Sequence, residues 1–200
     1  GTHPIGAGPV HVQRLGLAVS GVEGLVGEGA GGLEAALHGR QTQLLGEGPG
    51  SEAAGADELL DPLSSIKLSP AFEIFSQHQL ILHGADYDLR LLRQDYGWQV
   101  RNVFDTRIAA QLLGIKAFGL AALLERSFGL KLDKKHQRAD WSMRPLTADM
   151  LDYAAQDTRH LPKLRDILRE QLEQGGRLAW AEEEFKRLEN IRWTPLETNG

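Results

Sequence analysis

The chain changes character at position 57. Before it stand 15 of the 23 glycines and none of the 13 aromatic residues, and no Asp, Lys or Asn occurs there. After it come every aspartate and 20 of the 22 basic residues. A packed core must be built mainly from the second part. Stretches such as 21–24 and 46–50 hold too few bulky side chains to offset the entropy of ordering. Two readings of residues 1–56 follow: a Gly-rich flexible lead, or an out-of-frame translation joined to a genuine domain. Low order is expected there, apart from a short strand within 15–20 and a helical turn over 33–37.

The remainder is ample for one compact domain. Cysteine is absent, which excludes disulfides and thiolate metal sites and suits a reducing, cytoplasmic setting. Any metal must therefore be held by oxygen or imidazole. The longest apolar stretches fall far short of the ~20 residues that cross a bilayer, so no membrane association is expected. A net charge of -5 argues against a basic coat that binds nucleic acid by charge alone, so any such binding has to be local. Oligomeric state leaves no trace in the sequence.

From Asp57 onward, apolar periodicities of strand and helix alternate, which predicts an α/β domain over 57–175. Ser69 and Pro70 open a helix through Phe72 and Phe75. Residues 80–83 read as a buried strand, Gly84 as a turn, and Asp86 as the cap of a helix bearing Asp88, Leu89 and Leu92. Val103 and Phe104 form a second short strand running into a helix with Ile108 and Leu112. Leu120, Leu123, Leu124 and Phe128 make the next helix, closed by Gly129. Residues 131–144 are polar and aperiodic, a surface loop. Thr147 opens a helix through Met150 and Ala154, and Leu161, Leu164, Leu168 and Leu172 give a long amphipathic one. From Gly176 a last helix places Leu178, Trp180, Phe185 and Leu188 on its apolar side.

Tyr153 and Asp157 lie four residues apart on one predicted helix, so they share a face. Asp88 follows a strand, where α/β sheets expose their working groups. Taken singly, each has a plainer reading: Asp86 and Asp88 as acids that suit a helix start, Tyr153 as a packed aromatic, Asp157 as a solvated acid. Together they suit phosphodiester hydrolysis, in which two divalent ions about 4 Å apart neutralise charge and activate water. Hard ions such as Mg²⁺ or Mn²⁺ prefer carboxylate oxygen.

The blocks HGADYDL (83–89), FDT (104–106), LDKKHQRADWSMRPLT (132–147) and YAAQD (153–157) occur in an order that resembles the ribonuclease D family. The resemblance covers about residues 57–190 and rests on several blocks rather than one motif. It implies a ribonuclease H-like 3'-5' exonuclease fold and a DEDD-type metal site with a tyrosine in the last motif. By that resemblance Asp88 and Asp157 hold metal, Tyr153 orients the attacking water, and Asp105 lies next to the active-site strand; Asp105 itself is read as structural, a helix cap. The substrate it implies is the 3' end of single-stranded RNA, tRNA precursors among them.

One part of the pattern is missing. The family's first motif, Asp-any-Glu, cannot be written within residues 1–56, which contain no aspartate. Glu34 and Glu23 are the candidates nearest in pattern, each with glycine where the aspartate belongs. The expected fold is thus incomplete at its N-terminal strands and its activity impaired. The rival expectation is a catalytically inactive nucleic-acid-binding remnant of the same fold. Residues 176–200 would begin a helical region that the family continues and this chain does not.

Residues 126–144 form a local positive patch in an acidic protein. Lys134, Arg138 and Arg144 can hold phosphates there and Trp141 can stack on a base, a combination suited to single strands. Trp141 has a second reading as a side chain packed on its own domain. His83 and His136 are read as hydrogen-bonded structural groups.

Overall fold

The computed structural model describes residues 18–20, 43–45, 57–59, 68–132, 135–136 and 139–192, with the backbone alone for the first three segments and for Asp157. Among the described residues the elements run β1 (Ala18–Ser20), β2 (Gln43–Leu45), β3 (Asp57–Leu59), α1 (Ser69–Phe75), β4 (Gln79–Leu82), α2 (Asp86–Tyr96), β5 (Val103–Asp105), α3 (Thr106–Leu112), α4 (Leu120–Phe128), α5 (Ala148–Arg159), α6 (Leu161–Gln174) and α7 (Leu178–Glu189). The alternation predicted from periodicity is present.

β4 is the middle strand of a three-stranded sheet ordered β1-β4-β5. It pairs parallel with β5, Leu82 opposite Asp105, and antiparallel with β1, Ala18 opposite Ile81. Leu80, Ile81 and Leu82 are all fully buried, as a strand covered on both faces requires. Alternation sends Ile81 and Phe104 into one apolar cluster with Leu123, Leu124, Leu164, Leu168 and Phe185. Leu80, Leu82 and Val103 enter a second cluster with Leu89, Leu92, Val100 and Leu188. Helices thus cover both faces of the sheet, and each fully buried leucine contributes about 1.5–3 kcal/mol. β2 and β3 form a separate antiparallel pair, against which α5 packs.

Three local expectations need correction. Ser69 does not cap α1: Leu68 holds that position without a side-chain bond, and the helix starts on the favourable geometry of Pro70 in its first turn. Asp86 does not cap α2 either. Ala85 precedes the helix, and the Asp86 carboxylate is taken by Arg90 one turn on, at 2.8 Å. Trp180 is 60 % exposed, because the face that α7 buries carries Ala181, Phe185 and Leu188 and position 180 falls outside it. Phe185 meets Phe104 of β5 with ring centroids 4.8 Å apart, so α7 is packed into the main core.

The expected strand within 15–20 is present as β1, and 43–45 adds another. The helical turn expected over 33–37 lies outside the described residues.

Candidate active site

The C-terminal ends of the parallel strands β4 and β5 carry the polar groups. After β4 the chain reverses at Gly84, whose φ of 72° is open to glycine and costly for other residues. The turn is held by Asp105, the last residue of β5. Its carboxylate accepts the backbone N–H groups of Gly84 at 3.1 Å and Ala85 at 2.7 Å, and those of Arg107 at 2.8 Å and Ile108 at 3.1 Å. Asp105 is fully buried, and four donors offset the cost of desolvating its charge. The sequence identified it as a cap of α3, which it is. Its second role, tying the β4–α2 turn to β5, has no signature in spacing.

Thr106 extends this framework. Its hydroxyl donates to the Leu82 carbonyl at 3.0 Å, and His83 Nδ1 lies 2.9 Å from the same oxygen. Since the one hydroxyl hydrogen is committed to Leu82, Nδ1 carries the imidazole proton and donates to Thr106. Burial pushes the His83 pKa below its usual range, against the pull of Asp105. A structural, hydrogen-bonded histidine was expected here, and this is one.

Asp88 sits in the first turn of α2, half-buried, with no hydrogen bond or ion pair among the described residues. Burial, and after it the nearby Asp105 charge, together raise its pKa to about 6. A carboxylate so placed, beside a second negative charge that is already saturated by backbone donors, is short of a positive partner. It fits a divalent cation ligand by donor type and by this electrostatic deficit.

Tyr153 lies on the buried side of α5, 8 % exposed. Thr147 caps that helix, its hydroxyl accepting the Met150 N–H. The preceding loop folds onto the tyrosine: the His136 ring meets it edge-on at 5.9 Å and the Trp141 ring lies tilted at 6.1 Å. Trp141 also donates its indole N–H to the His136 carbonyl at 3.2 Å. Trp141 is therefore packed on its own domain, half-buried, as the plainer reading of it allowed. His136 departs from expectation, since its Nε2 is buried without a hydrogen-bond partner among the described residues.

Asp157 follows Tyr153 by four residues on α5, as read from the sequence, but its side chain lies outside the described set. Lys134 and Arg138, and with them Glu23 and Glu34, also lie outside. Arg144 is exposed and donates to the carbonyls of Trp141 at 2.8 Å and Met143 at 2.7 Å, within its own loop. Among the described residues no three His, Asp or Glu side chains gather as a ready metal cage. The strand next to β4 carries Ala18, Val19 and Ser20, hence no carboxylate.

Comparison with known proteins matches residues 51–173 to the 3'-5' exonuclease family, more than half of the chain. Ribonuclease D of Zymomonas mobilis is 37% identical over 134 residues, covering 64% of this chain and 34% of that protein. The crystal structure of Escherichia coli RNase D, an exoribonuclease involved in structured RNA processing, superposes with a TM-score of 0.60 at 31% identity. That match covers 64% of this chain and 35% of the other. Brucella melitensis NrnC with bound Mg²⁺ superposes at 0.52 with 30% identity, over 56% of this chain and 54% of the other. The chain spans between a tenth and somewhat over a third of the length of the curated relatives it matches. Over the shared region the mixed helix and sheet arrangement is that of these exonucleases, in agreement with the fold expected from the sequence.

Proposed function

We propose a reaction for this chain from one premise: it belongs to the 3'-5' exonuclease family, and within it is ribonuclease D-like. The chain removes nucleotides from the 3' end of single-stranded RNA by hydrolysis of the terminal phosphodiester, tRNA precursors being one substrate of that kind. The observation that carries this reading is Asp88, a half-buried carboxylate with no hydrogen bond or ion pair among the described residues, in the first turn of the helix that follows parallel strand β4, in a chain of this family. Asp88 and Asp157 would hold Mg²⁺ or Mn²⁺. A divalent ion, when bound, supplies neutralising charge at the scissile phosphate and a more acidic water.

The remaining roles fall to the chain itself. Asp105 and Gly84 hold the turn that delivers Asp88. Tyr153, braced by His136 and Trp141, orients the attacking water through its hydroxyl. Lys134, Arg138 and Arg144 contact substrate phosphates, and Trp141 closes the loop beside Tyr153. The lack of cysteine and the likeness to bacterial ribonuclease D support a cytoplasmic setting.

A second reading has its own support. With no aspartate before position 57 and no carboxylate on β1, the first acid pair is wanting, which favours a slow enzyme or a remnant that binds nucleic acid without turnover. Incubation of a 3'-extended single-stranded RNA with Mn²⁺ or with EDTA, alongside Asp157→Asn, separates them. Shortening from the 3' end that needs Mn²⁺ and is lost in Asp157→Asn is expected. Shortening that survives the substitution contradicts the site, and retention of RNA without cleavage selects the remnant.

A further inference from the structure

Arg107 stands in the first turn of α3, exposed, and its position is an awkward one for a cation. The N-terminal end of a helix carries partial positive charge, so a guanidinium gains nothing there from the backbone. No carboxylate pairs with it among the described residues, and its one acidic neighbour in sequence, Asp105, is saturated by four backbone N–H groups. The side chain is nevertheless held in place. Its guanidinium lies over the Phe118 ring, 5.2 Å from the centroid. Its stem runs along the β4–α2 turn, where a Cβ on Gly84 would stand 3.2 Å from Arg107 Cδ and 3.4 Å from Nη1. The missing side chain at position 84 thus leaves room for the arginine as well as for the turn. Burial lowers the pKa of the adjacent His83, and the nearby Arg107 adds to that shift.

A preorganised guanidinium with no carboxylate bound to it among the described residues, packed against the turn that leads into Asp88, has an obvious chemical complement. We infer that Arg107, stretched between the Phe118 ring and Gly84, is a phosphate-binding residue that contacts one phosphodiester of the single-stranded nucleic acid whose end is processed beside Asp88. Its fork of donors suits phosphate oxygens, and stacking on Phe118 lowers the entropy lost on contact. It is a substrate-positioning residue, without a part in bond cleavage. The inference rests on the nuclease reading for the location of the strand, yet it can be tested without turnover.

The test is equilibrium binding of a fluorescent single-stranded oligoribonucleotide to the full chain in EDTA, over a salt series, for wild type, Arg107→Gln, Arg107→Lys and Phe118→Leu. Arg107→Gln is expected to weaken binding about fivefold at low salt and to reduce the slope of log affinity against log salt by about 0.7, the value for one single-strand phosphate contact. Arg107→Lys and Phe118→Leu keep the charge, so both are expected to weaken binding while retaining the slope. Because Arg107 is exposed, thermal midpoints should stay close to wild type, and should Arg107→Gln not fold, the two charge-retaining variants carry the test. Wild-type affinity in all three, an unchanged slope in folded Arg107→Gln, or a wild-type chain that retains no RNA, overturns the inference. An Arg107-dependent slope in a chain that never shortens RNA with Mn²⁺ supports it and overturns the nuclease reading alone.

Discussion

Asp105 accepts the backbone N–H of Ala85 at 2.7 Å, and that bond fixes the turn from which α2 carries Asp88. The same carboxylate serves two turns and two strands, so the geometry of the candidate site depends on a residue that would touch neither metal nor substrate.

Asp105→Asn keeps the shape and removes the charge, and one end of its amide presents N–H groups to backbone donors. At least one buried donor then goes unsatisfied, for a loss of about 3 kcal/mol. Urea unfolding is expected to show a lower midpoint with an unchanged slope.

Asp88 gives a pH signature of definite sign. Its folded pKa of about 6 lies above the ordinary value of 3.8. A carboxyl that ionises less readily when folded favours the folded state while protonated, and that contribution fades as pH rises from about 4 through about 6. In EDTA, Asp88→Asn should therefore melt at or above the wild-type temperature at pH 7.5, with the gap closing towards pH 4. Mn²⁺ should raise the midpoint of wild type at pH 7.5 and leave that of Asp88→Asn unchanged.

The same ionisation sets metal uptake. A ligand carboxylate must lose its proton to bind, so apparent Mn²⁺ affinity should fall about tenfold per pH unit below about 6. Titration calorimetry across pH 5 to 8 checks this. A flat profile through pH 6 would remove Asp88 from the ligand set.

Much of this arrangement was legible in the residues, and the exceptions have physical causes. Strands β4 and β5 were readable as short continuous apolar runs, and the helices from Asp86 onward because buried side chains recur at a period of 3.6. Asp88, Tyr153 and Asp157 were singled out because their blocks keep a fixed order, and their roles are the proposal made above. The double role of Asp105 was not, since hydrogen bonds to Gly84 and Ala85 join residues about twenty apart and leave no periodic trace. Trp180 was misplaced because an apolar residue near a helix start suggests burial whether or not it falls on the buried face. Strand β2 was missed because Gln43, Leu44 and Leu45 offer a run too short for alternation to register.

Tyr153→Phe separates packing from chemistry. The ring contacts with His136 and Trp141 survive, whereas kcat should fall about a hundredfold if the hydroxyl orients water. Tyr153→Ala should lose both, with a stability cost of about 3 kcal/mol.

The packing of α7 gives an independent check on the core. Phe185→Ala should cost about 3–4 kcal/mol, since the ring is 5 % exposed against Phe104. Trp180→Ala should fall within about 0.5 kcal/mol of wild type. Equal losses would mean that the helix presents another face to the sheet.

The central claim is that Asp88 and Asp157 meet at a divalent ion, and anomalous scattering from a crystal soaked in Mn²⁺ addresses it most directly. A manganese peak is expected within about 2–2.5 Å of a carboxylate oxygen from each aspartate. A crystal saturated with Mn²⁺ that shows no peak at Asp88, or shows the two carboxylates too far apart to share an ion site, contradicts it.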